Sequence, residues 1–418
     1  MKAVEGWKKC KVRDICELGR GRVISGQEIE RNPGVFPVFS SQSSNNGKMG
    51  AIDTFDFDGE YVTWTTDGAY AGTVFYRSGQ FNCTNVCGTL HAKDVSVWAK
   101  DTQVCMPFLA NKLSTLAKDY VSYIGNPKLM NGVMANIEIS IPISKPEQTK
   151  IAEILSTVDR AIEQTEALIA KQQRIKTGLM QDLLTSGIDE HGNLRSEKTH
   201  HFKDSPLGRI PVEWEVKRLE ELTTKIGDGI HTTPDYSVNT DYFFINGNNL
   251  NNGSIKLSED TLCVDKNEYK KHYIYLDEQT ILYSINGTIG NIAFYKNEKV
   301  ILGKSAAYIS CKKDINPMLI YFILQTEQVK DFYDNEMTGS TIKNLSLASI
   351  RKTPIKMPTG KVEQELLANK IDLSVKTKTN EESKLFKLRS LKTALMQDLL
   401  TGEKRVTPLL TEPQEAGA

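Results

Sequence analysis

The chain has 418 residues, 39% hydrophobic and 25% charged, with 52 Lys+Arg set against 52 Asp+Glu. That length holds two or three domains of ordinary soluble composition; no apolar run approaches the ~18 residues of a membrane span, and no apolar stretch follows Met1-Lys2-Ala3-Val4-Glu5 as a signal peptide would require. Seven scattered cysteines fit a reducing cytoplasm better than a disulfide framework, and zero net charge means that any nucleic-acid affinity must come from local basic patches or from partners.

Residues 1–145 contain short β-rich runs broken by Gly, Asn and Asp, such as Gly59-Glu60-Tyr61-Val62-Thr63-Trp64 and Gly72-Thr73-Val74-Phe75-Tyr76. They predict a twisted sheet or small barrel with a helical patch near 106–116. Over 146–187, Ile151, Leu155, Val158, Ile162, Ile169, Ile175, Leu179 and Leu183 recur at spacings near three and four, the seam of a coiled coil. Ser144 with Glu147 reads as a capping box, Pro146 falls in the first turn, and Gly187 is placed for a C-cap. At 1.5 Å per residue such a helix is a rod of roughly 58 Å. The polar stretch 188–205, with His191 and His200-His201, reads as a solvated linker rather than a metal site.

Residues 206–357 return to the first texture, with Ile292-Ala293-Phe294-Tyr295 as a strand and a helical patch near 317–334. A second long helix over 358–404 carries Leu367, Ile371, Leu385, Leu388, Leu391, Leu395 and Leu399. Ser374, Lys378 and Glu381 occupy seam positions in its middle, so it should depend on the first helix for stability. Residues 405–418 read as a flexible tail.

An internal repeat organises the chain. Leu-Met-Gln-Asp-Leu-Leu-Thr at 179–185 recurs 216 residues later at 395–401, and the same offset maps Glu147-Gln148 onto Glu363-Gln364 and Ala152 onto Ala368. Each globular region opens on a related phrase, Trp7-Lys8-Lys9-Cys10-Lys11-Val12 or Trp214-Glu215-Val216-Lys217-Arg218-Leu219. Each also closes on one, Ile139-Ser140-Ile141-Pro142-Ile143 or Thr353-Pro354-Ile355-Lys356-Met357-Pro358. The expected fold is α+β: two modules of mixed sheet and helix, separated by two long helices that pair antiparallel.

Two related but non-identical modules on a helical spacer suit a duplex with an asymmetric, split target and an unread gap. The loops carry side chains able to read base edges, Asn and Gln on adenine, Arg and Lys on guanine. In the first module the candidates are Arg20, Arg22, Gln42, Asn45, Asn46, Lys48, Thr65, Thr66, Tyr70 and Lys128. In the second they are His231, Asn248, Asn249, Ser284, Asn286, Thr288, Lys304, Thr341, Lys343 and Asn344. Replacing Asn249 or Asn286 should then relax one half-site only.

An enzyme reading lacks a site. Asn126-Pro127-Lys128 is not an amino-methyltransferase motif, and Gly303-Lys304-Ser305 lacks the leading glycine of a phosphate-binding loop. Pro234-Asp235 with Glu268-Tyr269-Lys270 mimics a nuclease pattern without an equivalent in the other half. Cys83, Cys87 and His91 lack a fourth ligand and read as buried cysteines rather than zinc ligands. A non-catalytic coiled-coil scaffold with two ligand-binding globules is the alternative.

Glu147-Gln148 opening a long helix, the Leu-Met-Gln-Asp-Leu-Leu-Thr ending, and Ser205-Pro206-Leu207-Gly208-Arg209-Ile210-Pro211 before Trp214 resemble Type I restriction-modification specificity subunits. Gly339-Ser340-Thr341-Ile342-Lys343-Asn344-Leu345 is similar to a loop of that family's target recognition domains, while Gly125-Asn126-Pro127-Lys128-Leu129-Met130-Asn131 departs from it. The resemblance implies target recognition domains at 1–145 and 206–357, each reading half of a split DNA site. It also implies two helices, 146–187 and 358–404, that space the domains and dock two methylation subunits, with restriction subunits joining them. No catalytic residue, metal or cofactor is expected in this chain; S-adenosylmethionine, ATP and Mg²⁺ are expected in the partner subunits.

Overall fold

The computed structural model describes residues 4–42, 44–93, 103–337 and 343–410. Two compact units emerge, one of Met1–Ala167 with Glu382–Ala418 and the other of Leu168–Glu381. The long helices Lys145–Ser186 and Lys361–Thr401 each contribute one part to each unit.

In the first unit a four-stranded antiparallel sheet runs in the order Cys16–Arg20, Cys87–Ala92, Glu60–Thr65, Val74–Ser78. The Glu60–Thr65 strand buries Val62 and Trp64 on one face and Thr63 and Thr65 on the other, a central strand covered on both sides. A second sheet places Pro33–Phe39 between Lys48–Ile52 and a parallel partner, Asn82–Cys83. Met106–Ser114 lays Phe108, Leu109 and Leu113 on the first sheet's core.

The second unit repeats this plan although the sequences between its ends do not match. Its four-stranded sheet runs Thr223–Asp228, Ala306–Cys311, Thr280–Ser284, Ile292–Phe294. Phe243–Ile245 again takes a parallel partner, Val300–Leu302. The helical patch expected near 317–334 is two helices, Pro317–Ile323 and Glu327–Glu336.

The shared opening and closing phrases turn out to be partners. Trp7–Lys11 pairs antiparallel with Glu138–Pro142 in register Trp7↔Pro142, and Trp214–Arg218 pairs with Pro354–Pro358 in register Trp214↔Pro358. Each ribbon closes its module and hands the chain to a long helix.

Within the first unit the helix segments run antiparallel. Glu147 pairs with Arg405 at 2.6 Å, Asp159 with Lys392 at 2.5 Å and Glu166 with Arg389 at 2.6 Å, one number rising as the other falls. Ile151, Ala152 and Leu155 share a core with Leu399 and Leu400. Within the second unit Leu183 and Leu184 share a core with Leu367, Ala368 and Ile371, the same antiparallel sense.

Three sequence expectations change. Glu147 does not complete a capping box with Ser144; its side chain is fully buried and takes both Nε and Nη2 of Arg405, at 2.6 and 2.7 Å. The 188–205 segment is not simply solvated, because Ile188 and Arg195 are both buried and Arg195 reaches Glu363 at 2.5 Å. The segment from 405 is not a flexible tail at its start: Val406 is buried and Thr407–Leu410 is a short 3-10 turn, while 411–418 lie outside the described residues. Gly187 does cap its helix, with φ +65° and its N–H on Leu183 O at 3.1 Å.

Candidate nucleic-acid interface

In each module the ends of the central strands and two loops converge on one edge. In the first, Asp67, just beyond Glu60–Thr65, bridges Lys128, and Arg22 bridges Thr84. In the second, Asn286, just beyond Thr280–Ser284, bridges Asn344, and Ile230 bridges Gly303. The two edges are built alike and carry different side chains, Asp67 and Lys128 against Asn286 and Asn344.

The second module's edge opens into a cleft of about 810 Å³ that brings together His231, Asn286, Lys304 and Asn344 of the expected residues, with Asn246, Thr232, Thr233 and Tyr236 in addition. The exposed Lys304 supplies a cation, and Asn246, Asn286 and Asn344 supply amides. His231 Nε2 lies 2.9 Å from Asp228 Oδ2. Sequence reasoning missed Tyr236, a half-exposed aromatic next to the Thr232-Thr233 pair, because nothing in its spacing marks it.

Other expected readers are engaged in building the loops. Asn249 Oδ1 accepts the Asn246 N–H at 3.0 Å and its Nδ2 donates to Lys256 O at 3.2 Å, so each end of the amide makes one bond within the loop. Asn248 is exposed beside it. Ser284 is fully buried, donating to Thr288 O at 2.5 Å and accepting from Asn291 N at 2.9 Å. Thr65 and Thr66 are buried as well. For the buried Ser284, Thr65 and Thr66 the expectation of direct base contact is therefore corrected to a supporting role, while Asn249 holds its own loop and Thr288, whose carbonyl takes the Ser284 hydroxyl, keeps its side chain exposed. Lys343 is exposed, 3.7 Å from Asp334, and Thr341 lies outside the described residues.

In the first module the two arginines are already paired. Arg22 meets Glu28 at 2.6 Å and Asp56 at 3.0 Å, and Arg20 meets Asp67 at 3.3 Å while donating to Asn85 O at 2.5 Å. Tyr70 is exposed by 53%, and Lys48 and Lys128 are exposed too. Gln42 Nε2 donates to Lys48 O at 2.5 Å and Asn45 Nδ2 to the same oxygen at 3.5 Å, which closes the 42–48 loop.

That loop rests on a residue the sequence did not flag. Asn45, Asn46 and Gly47 are consecutive left-handed residues, with φ 49°, 52° and 78°. Beneath them Arg77 is 4% exposed, stacked 3.6 Å from the Phe39 ring centroid and donating through Nη2 to Asn46 O at 2.7 Å. A Cβ on Gly47 would stand 3.2 Å from that Nη2. Burial pushes the guanidinium down to about 10, and its Nε is buried without an acceptor.

The false leads resolve structurally. Cys83 and Cys87 are buried, and burial pushes the Cys87 thiol up to about 11, the mark of an inert side chain. Glu268 is held by Lys271 at 3.1 Å and His272 at 3.0 Å. Ser305 Oγ accepts the Gly247 N–H at 3.0 Å. Among the described residues no helix is long and apolar enough to cross a membrane.

A duplicated sheet-and-helix module that presents amide, hydroxyl and lysine side chains at one edge defines a two-module hydrogen-bonding reader. The family model for the Type I restriction modification DNA specificity domain matches residues 4–172 and again 211–388. A Mycoplasma pneumoniae protein provisionally named as a type I specificity subunit is 29% identical over 359 residues, 86% of this chain and 86% of its own length. Another from the same organism, provisionally named as the N-terminus of such a subunit, is 52% identical over 151 residues, 36% of this chain and 76% of its own length. The crystal structure of a Type I restriction-modification S subunit from M. genitalium superposes with a TM-score of 0.66 at 15% identity, covering 96% of this chain and 97% of that one, and shares the fold. The chain belongs to the Type I restriction-modification DNA specificity family, and its function is DNA sequence specificity within such a system.

Proposed function

We propose that this chain reads an asymmetric, split DNA site, one half per module, and carries no catalysis of its own. The observation that carries this reading is the pair of equivalent edges with unlike side chains, Asp67 and Lys128 against Asn286 and Asn344. Equal scaffolds with different donors and acceptors are what two different half-sites call for. In this reading the exposed candidates Lys48, Tyr70, Lys128, His231, Asn248, Thr288, Lys304, Lys343 and Asn344 and the half-buried Asn286 contact DNA, and Gln42, Asn45 and Asn46 present their loop to it. Two methylation subunits dock on the chain, restriction subunits join that assembly, and all act in the cytoplasm. S-adenosylmethionine belongs to the methylation subunits, and ATP with Mg²⁺ to the restriction subunits. The zero net charge supports this division, since phosphate neutralisation is then shared with partners.

The test is a methylome of cells expressing this chain with its cognate methylation subunit. One split motif, with adenine methylated on both strands, is the expected result. An assembled complex with an active methylation subunit and no new motif would defeat the reading and favour a non-catalytic scaffold.

A further inference from the structure

Ile124 is 93% exposed, more than any other large hydrophobic side chain among the described residues, and its neighbour Tyr123 is 70% exposed. They form the tip of a hairpin whose stalk is tightly held. Ser122 and Lys128 exchange both backbone hydrogen bonds, at 2.9 and 3.0 Å, and Gly125, with φ +75°, allows the reversal between them. Three further bonds of 2.9 Å tie the stalk to the end of the central strand: Gly68 N–H to Pro127 O, Leu129 N–H to Thr66 O, and Trp64 Nε1 to Leu129 O. Leu129 itself is fully buried. A lone exposed isoleucine on a surface needs no explanation. An apolar tip on a stalk braced against the core is a different object, because the fold spends several hydrogen bonds to hold it in water.

The stalk belongs to the reading edge of the first module: Lys128 bridges Asp67, and Tyr70 is exposed on the same strand-end loop. Polar side chains satisfy the donors and acceptors of base edges, but a thymine methyl or a base step is met by apolar atoms. The exposed Tyr120, Met130 and Val133 lie close by in the chain, but the tip itself is set apart from them by the exposed polar residues Ser122, Asn126 and Lys128, whereas a protein partner is met by a continuous apolar face. We propose that Tyr123 and Ile124 enter a groove of the duplex and make the apolar base contact of the first half-site. This rests on the split-site reading above. The corresponding stalk in the second module carries the Asn286–Asn344 bridge, and residues 338–342 beyond it lie outside the described residues.

The experiment measures binding of the assembled complex across a salt series, on duplexes carrying the native site or a scrambled first half-site. Ile124→Ser should weaken binding to the native site about ten- to hundredfold and leave the slope against salt unchanged. It should have no effect on the duplex with the scrambled first half-site. Lys128→Gln, by contrast, should flatten the slope by about one phosphate. Unchanged affinity of the Ile124→Ser complex for the native site would overturn the proposal. So would loss of the co-purifying methylation subunit, which would place the tip against protein. A wild-type complex that prefers no split site would defeat the parent reading instead. Because Ile124 is exposed, an unchanged melting temperature accompanies the expected result.

Discussion

Arg77 shows how a single buried side chain can govern a loop it does not belong to. Its guanidinium lies between Phe39 and Phe75, at 3.6 and 4.5 Å from their ring centroids, and it holds Asn46 O from below. Lysine would keep the charge but lose the planar stacking and the directed fork. Arg77→Lys is therefore expected to reduce discrimination at the first half-site by about tenfold, roughly one charge-assisted hydrogen bond, and to leave the second half-site untouched. Competition binding against singly substituted half-sites checks this, and an equal loss at both halves would mean general unfolding instead. Loop composition alone located Asn45, Asn46 and Gln42, because Asn and Gly mark turns wherever they cluster. It could not separate Asn286, in the cleft, from Asn249, whose amide ties its own loop together. Nor could it find Arg77, since an arginine in a strand gives no sign of being buried beneath a loop 30 residues away.

The Glu-Gln pairs that begin the two long helices act as joints between helix and module. Glu363 accepts from Arg195 at 2.5 and 3.1 Å, from Trp214 Nε1 at 3.1 Å and from Ile188 N at 3.1 Å. Gln364 accepts from Asn316 N at 2.9 Å and donates to Pro358 O at 3.1 Å. In the other copy Gln148 does the same with Cys105 N and Pro142 O, both at 2.8 Å. Cys105 and Asn316 are the cap residues of equivalent module helices, so each glutamine fixes a ribbon end to a helix start. Removing the carboxylate leaves the buried Arg195 to its longer contact with Glu213, at 3.9 Å, and the Trp214 Nε1 and Ile188 N–H groups without this acceptor. Glu363→Ala should thus cost about 3–5 kcal/mol, read as a shift in the denaturation midpoint. A loss below about 1 kcal/mol, the value of an exposed pair, would show that the joint is not set by charge. The repeat exposed these pairs as sequence matches, and amphipathic spacing gave the helices. The inward roles of Glu147, fully buried, and Glu363, largely covered, stayed hidden, because a glutamate three residues into a helix is ordinarily a cap.

At the scale of the whole molecule, the duplication extends beyond the segments in which it can be read. The helices kept Leu-Met-Gln-Asp-Leu-Leu-Thr, whereas the sheets kept only their strand order and the parallel pairing beside it. A strand needs alternation and burial rather than particular residues, so two equal sheets share almost no sequence. If the helices set the gap in the target, a seven-residue insertion between Thr165 and Lys171, matched in the C-terminal helix, keeps the apolar seam in phase. Its methylome should show the two original half-sites with a longer gap; the original motif at full strength would remove the helices from that role. The division of the chain also bears on synthesis. The second unit, Leu168–Glu381, is one uninterrupted stretch, but the first needs Glu382–Ala418 as well. Lys112 finds its acceptor, Leu400 O at 2.6 Å, only once that last stretch has been made, and Glu147 must wait for Arg405. The N-terminal part of the first unit is thus finished only after the whole second unit has been made, and until residues 400–405 follow, the buried Lys112 and Glu147 lack these partners.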